Sequence, residues 1–108
     1  MSEEQIAGTT LVEEFPEGYA RSPNWAVVRR IIEAGHQVMA RRTSTGAFDY
    51  AIPDWFLPLR AACRDLPHHR AREVIDRSLV DAEVRDALLT VAERGQEAVA
   101  AFIKSRSW

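Results

Sequence analysis

The residues best suited to chemistry are two adjacent histidines, His68 and His69, followed on the next helical turns by Glu73 and Asp76. Residues four apart share one face of a helix, so His69 and Glu73 have the spacing of two metal ligands. A metal site needs at least three placed ligands, and no HExxH motif or second spaced pair completes this one. We therefore expect no metal and no cofactor, and a metal- or histidine-dependent enzyme ranks third among the functions considered.

A nucleophile is the other candidate for chemistry. Cys63 is the single cysteine of the sequence, which excludes an intramolecular disulfide and a cysteine-based zinc site. It falls on the apolar stripe of a predicted helix between Trp55 and Leu66, where a thiol packs as a small hydrophobic group. No serine has a GxSxG setting, and no glycine-rich phosphate-binding motif is present. The sequence therefore favours a protein that is not an enzyme.

Composition and charge limit the remaining classes. The sequence is 46% hydrophobic and 28% charged, which is typical of an ordinary globular domain. No apolar run reaches the roughly 18 residues of a membrane span, and Glu3 and Glu4 occupy the start, so we expect a cytoplasmic protein. The net charge of −2 combines five glutamates and no basic group in residues 1–20 with 14 basic and 11 acidic groups in the remainder. The net charge of residues 21–108 is therefore +3, which is a weak positive charge for a nucleic-acid binder.

The chain is predicted to have two parts. Residues 1–21 hold scattered apolar side chains interrupted by glycine and proline, and they are interpreted as an acidic N-terminal arm. Within this arm, residues 10–15 could form a short strand or a docked extended segment. Residues 22–108 are interpreted as a single helical domain.

The longest amphipathic pattern begins at a Ser-Pro pair, residues 22–23, which suits a helix start because serine can cap and proline lacks an N–H. Apolar and charged residues then alternate at helical spacing, which predicts one helix over residues 23–41. The alternative is a β-hairpin over residues 36–52, in which Gly35 ends the helix. The first interpretation gives an all-α protein and the second an α+β protein.

Two prolines mark the helices that follow. Pro53 and Pro67 each open a further helix. Residues 68–94 then contain no glycine or proline, yet their hydrophobic pattern jumps in phase between Leu79 and Val84, by roughly 150° at 100° per residue. Either two helices meet there or one helix changes partner. The predicted fold is a compact all-α bundle of about four helices with the acidic arm, and the alternative is α+β with the hairpin.

Aromatic and arginine side chains supply the predicted binding surface. Phe56 and Leu57 lie off the helical stripe of Trp55, so they indicate a second contact surface, with Arg60 and Arg64 on its polar rim. We expect these five residues to bind another protein of unknown identity. The function this favours is a non-enzymatic protein-protein interaction module, such as a small regulator, inhibitor or accessory subunit. The two oppositely facing stripes of the C-terminal half also predict a homodimer.

The alternative function is a small DNA-binding regulator that uses the helices flanking Pro67. The second of these helices would present basic and histidine side chains to a groove. The residues concerned are His68, His69, Arg70, Arg72 and Arg77. Acidic residues on the same helix interrupt that basic surface, and the turn lacks the usual glycine. Nucleic acid is therefore the less favoured partner.

Overall fold

The structure, a computed structural model, describes residues 4–106. Within them the chain is 50% helix and 17% strand, so the prediction of an all-α bundle is wrong and the alternative α+β fold fits. The elements in chain order are β1 (Thr9–Leu11), β2 (Tyr19–Arg21), α1 (Trp25–Glu33), β3 (Val38–Arg42), β4 (Phe48–Pro53), α2 (Phe56–Ala62), α3 (His68–Val80), α4 (Ala82–Ala92) and α5 (Gln96–Arg106). The chain divides into two compact units, an N-terminal one that ends at Trp55 and a helical one that begins at Phe56.

The N-terminal unit is built on a four-stranded mixed sheet in the order β1-β3-β4-β2. Strands β3 and β4 form an antiparallel hairpin, β2 pairs antiparallel with β4, and β1 pairs parallel with β3. Both edge strands come from residues 9–11 and 19–21, within the segment interpreted from the sequence as an acidic arm. The acidic residues between them, Glu13, Glu14 and Glu17, are exposed.

Helix α1 ends eight residues earlier than the predicted helix over residues 23–41. Asn24 caps its start by accepting from the amides of Ala26 and Val27 at 3.0 and 3.3 Å. Its end is a Schellman motif, in which the Gly35 amide donates to Ile32 O and the His36 amide donates to Ile31 O. Gly35 has a φ of +92°, which other residues avoid, so the chain leaves the helix there.

The hairpin that follows explains why the helical pattern was misleading. Val38 and Met39 are buried strand residues, and their apolar character fits a helical period as well as a strand. In β4, Phe48, Tyr50 and Ile52 alternate onto one face of the sheet and are all buried. The Tyr50 hydroxyl accepts from the Ile6 amide at 3.0 Å, which ties the start of the described chain to the sheet.

The helical unit resolves the phase jump as a break between two helices. Helix α3 ends at Val80, and Asp81 caps α4 by accepting from the amides of Glu83 and Val84 at 3.0 and 3.3 Å. A second break follows at Gly95, with a φ of +102°, and separates α4 from α5. The hydrophobic stripes change direction because the helices themselves do.

Helices α2, α3 and α5 each pack against α4. Leu88 of α4 is fully buried, as are Leu59 of α2 and Val74 of α3. Ser78, also fully buried, donates its hydroxyl to Val74 O at 2.8 Å, so its burial leaves no unsatisfied polar atom. In the described part of the chain, no helix combines the length and the apolar character needed to cross a membrane.

Candidate interaction surface

Helix α2 separates its side chains into a buried and an exposed set. Phe56, Leu59 and Ala62 recur at a spacing of three residues and are buried. At 100° per residue, Leu57 and Ala61 lie on the opposite side of the helix, so they remain in solvent. Leu57 is 49% exposed, whereas the other two large apolar side chains of α2, Phe56 and Leu59, are buried.

Two arginines extend this exposed side. Arg60 lies one turn before Arg64, and both are exposed. Arg64 Nε lies 3.7 Å from Asp65 Oδ1 in an ion pair whose side chains are 73% and 62% exposed. Such a pair contributes little, because water and salt screen it. We call the exposed set the α2 surface; its residues are Leu57, Pro58, Arg60, Ala61 and Arg64.

An open groove of about 420 Å³ borders the α2 surface. Pro58 and Ala61 line it from α2 and Arg64 lines it from the turn after α2, while the last turn of α4 lines it from the other side. The residues from α4 and its C-terminal end are Leu89, Ala92 and Glu93. Gln96 bridges the groove by donating its side-chain amide to Ala61 O at 3.4 Å. The wall is largely apolar, and it carries a basic group on one side and an acidic group on the other.

The five predicted partner-binding residues do not form one surface. Leu57 and Arg60 lie on α2 and Arg64 in the turn that follows it, all exposed, whereas Phe56 is only 2% exposed and belongs to the core of the helical unit. Trp55 lies in the N-terminal unit, half-buried, with its ring 5.0 Å from that of His36 in an edge-to-face contact at 71°. The structure thus supports a smaller surface than the sequence predicted.

The residues of the predicted DNA-binding helix lie on α3. His68, His69, Arg72 and Arg77 are exposed, while Arg70 is only half-exposed and donates to Glu73 at 3.0 Å. Acidic side chains lie between them: at 100° per residue, Asp76 falls between the directions of Arg72 and His69. Helix α3 therefore carries alternating charges rather than a continuous basic strip.

The candidates for catalysis are also separated by the fold. Within residues 4–106, no three histidine, cysteine or acidic side chains converge as metal ligands would. Cys63 is 1% exposed, and burial raises the pKa of its thiol to about 11. At neutral pH this cysteine is a protonated thiol packed in the core, not a nucleophile.

The N-terminal unit carries a further exposed surface, around Trp25, that the sequence pattern did not indicate. Trp25 is 42% exposed at the start of α1, beside an open groove of about 610 Å³ that Ile6 and Ile32 line together with Arg29 and Glu33. The indole also touches Tyr50 edge-on at 6.3 Å, so part of it is core. The helical spacing of α1 is the signal that could have indicated this exposure, because Trp25 lies about 90° from the mean direction of the buried pair Val28 and Ile31.

Comparisons with known proteins add no family to this geometry. A scan of protein-family models, a search of curated proteins and a search of solved structures each returned no match to the chain. The functional interpretation therefore depends on the surfaces themselves.

Proposed function

We propose that this chain is a non-enzymatic protein-interaction module whose α2 surface binds another protein, as a small regulator, inhibitor or accessory subunit does. The observation that carries the proposal is Leu57. A half-exposed leucine that precedes the groove-lining Pro58, on the same exposed side of α2 as Arg60, has the composition of an interface core with a polar rim.

The neighbouring helices support the same proposal. Helix α4 fully buries one side chain, Leu88, while Val84, Leu89 and Val91 are only half-buried. An amphipathic helix normally covers a stripe of about three residues in seven. The apolar surface left on α4 therefore exceeds what its own unit covers, and a partner on the α2 side can cover part of it.

The test is affinity capture from the source cell with the full chain as bait, comparing wild type with Leu57→Ser. A matched control is Val80→Ser, because Val80 is 71% exposed and lies in the same unit, outside the groove. We expect a captured protein that Val80→Ser retains and Leu57→Ser loses, with no change after nuclease treatment.

Two results contradict the proposal. One is a protein captured equally by all three baits, which would place its binding site elsewhere. The other is capture that nuclease treatment abolishes, which would favour nucleic acid and the histidines and arginines of α3.

A further inference from the structure

The groove beside α2 has two unlike walls. Arg64 stands on the α2 wall, with Arg60 one turn away, and Glu93 stands on the α4 wall. Among the described residues, Glu93 has no basic side chain within ion-pairing distance, and Arg60 has no acidic one. Between the charged walls lie the small or apolar side chains of Ala61 and Leu89. The groove is therefore basic on one side, apolar in the middle and acidic on the other.

This order of charges is complementary to itself. In a two-fold dimer, the same surface of each copy faces the other, and a rotation about an axis in the interface exchanges the two sides. If that axis runs along the groove, Arg64 of each copy faces Glu93 of the other, and the apolar strips meet between them. Binding to a different protein would not require a basic wall and an acidic wall on opposite sides of the same groove.

We propose that the α2–α4 groove is the interface of a symmetric dimer of this chain, held by reciprocal Arg64–Glu93 contacts around an apolar centre. This proposal rests on the proposed function, because it names a second copy as a partner of the same site. The exposed pair between Arg64 and Asp65 is a minor obstacle, because an ion pair in water costs little to exchange. We expect a weak dimer, with a dissociation constant on the order of 10–100 µM.

The test is sedimentation equilibrium of the full chain, with single and double charge reversals. Arg64→Glu places two acidic walls opposite each other, and Glu93→Arg places two basic walls opposite each other. We expect each single variant to weaken the dimer by at least about tenfold, because like charges then meet at the interface. The double variant Arg64→Glu/Glu93→Arg recreates the complementary walls, and we expect it to return to within about threefold of wild type.

Lys104→Glu is the matched control. Lys104 is exposed on α5 and does not line the groove, yet its reversal changes the net charge as much as Arg64→Glu does. We expect its dimer to match wild type. Far-UV circular dichroism and thermal unfolding of every variant establish that the folded chain is being compared, which we expect because both reversed residues are exposed.

Two outcomes overturn the dimer. The first is a wild-type chain that stays monomeric at about 500 µM, well above the expected dissociation constant. The second is a dimer that Arg64→Glu and Glu93→Arg leave unchanged, which would assign self-association to another surface. Neither outcome decides the proposed function, because capture that depends on Leu57 is a separate measurement and can succeed with a monomeric bait.

Discussion

The two central strands of the N-terminal unit and the last two helices of the helical unit differ in how completely their residues are buried. In the N-terminal unit, strands β3 and β4 bury eight of their eleven residues. In the helical unit, α4 and α5 bury three of their 22. Part of this difference is geometric, because an amphipathic helix buries only a stripe of about three residues in seven. Helix geometry does not explain the rest of the difference, because three buried residues in 22 is well below three in seven.

The difference indicates which part of the chain has apolar surface available for binding. Strands β3 and β4 bury every apolar side chain they carry, whereas α4 leaves Val84, Leu89 and Val91 half-buried, and Leu89 lines the groove next to α2. An apolar groove with charged residues at its edges is typical of a binding surface. The comparison therefore supports the proposal that the groove side of the helical unit, next to α2, is the binding surface.

The largest effect is expected at two adjacent residues, Phe56 in the core and Leu57 on the proposed binding surface. Phe56→Ala should lower the free energy of unfolding by about 3–5 kcal/mol, because a fully buried ring is replaced by a cavity. Leu57→Ala, one residue later and half-exposed, should cost less than about 1 kcal/mol. Urea unfolding of both variants measures the contrast. Similar costs for the two would show that Leu57 is core and that the α2 surface is wrongly assigned.

The next effect tests whether α4 is as sparsely packed as its burial indicates. Leu88→Ala should cost about 2–5 kcal/mol because Leu88 is fully buried, while Leu89→Ala, at the half-buried groove wall, should cost less than half as much. Denaturant midpoints at constant slope give both values. Equal losses would mean that α4 packs on both sides, which would remove the apolar surface invoked for binding.

A glycine pair tests the packing of the N-terminal unit. Gly8 has a φ of +92°, and a Cβ placed there would lie 2.7 Å from Ile32 Cγ2. Gly18 has a φ of +89° but nothing within 4 Å of the same position. Alanine at Gly18 should cost about 1–2 kcal/mol for the backbone alone. Alanine at Gly8 adds overpacking, about 1–3 kcal/mol more.

Thermal or urea unfolding of the two glycine variants gives the difference directly. A Gly8→Ala variant no less stable than Gly18→Ala would contradict close packing of residue 8 against α1. The contrast between closely packed β3 and β4 and sparsely buried α4 and α5 would then not extend to the start of the N-terminal unit.

The smallest effect is expected at the proposed binding residue itself. Leu57→Ser should lower the free energy of unfolding by no more than about 1 kcal/mol, because the side chain is already 49% in water. Calorimetry or urea unfolding would measure it. A loss of several kcal/mol would mean that impaired binding by this variant reflects unfolding.

Some of the fold could be predicted from single residues and their spacing. The helix start after Pro67 and a change of hydrophobic direction near residue 80 were visible, because helical periodicity is strong over long segments. The helix break itself depends on the Asp81 side chain capping α4, and the sequence left that open. Strands β1 and β2 have three residues each, too short to show a period, so their place in a sheet was not predictable.

The binding site was only partly predictable for a similar reason. The predicted helix stripe started at Trp55, which placed Phe56 off the stripe and made it a binding residue. The structure begins α2 at Phe56 and buries it with Leu59 and Ala62, so Trp55 lies outside the helix and Phe56 takes its predicted place beside the buried residues. Trp55 contacts His36 instead. A helix start that differs by one residue is enough to change which of two neighbouring aromatic side chains is core.

Amide hydrogen exchange of the chain alone and in its captured complex would show directly whether the α2 side of the helical unit binds protein. We expect slower exchange on binding over residues 56–64 and 89–96, with residues 25–33 and 68–80 unchanged. Protection confined to residues 25–33, beside Trp25, or to residues 68–80, on α3, would contradict it.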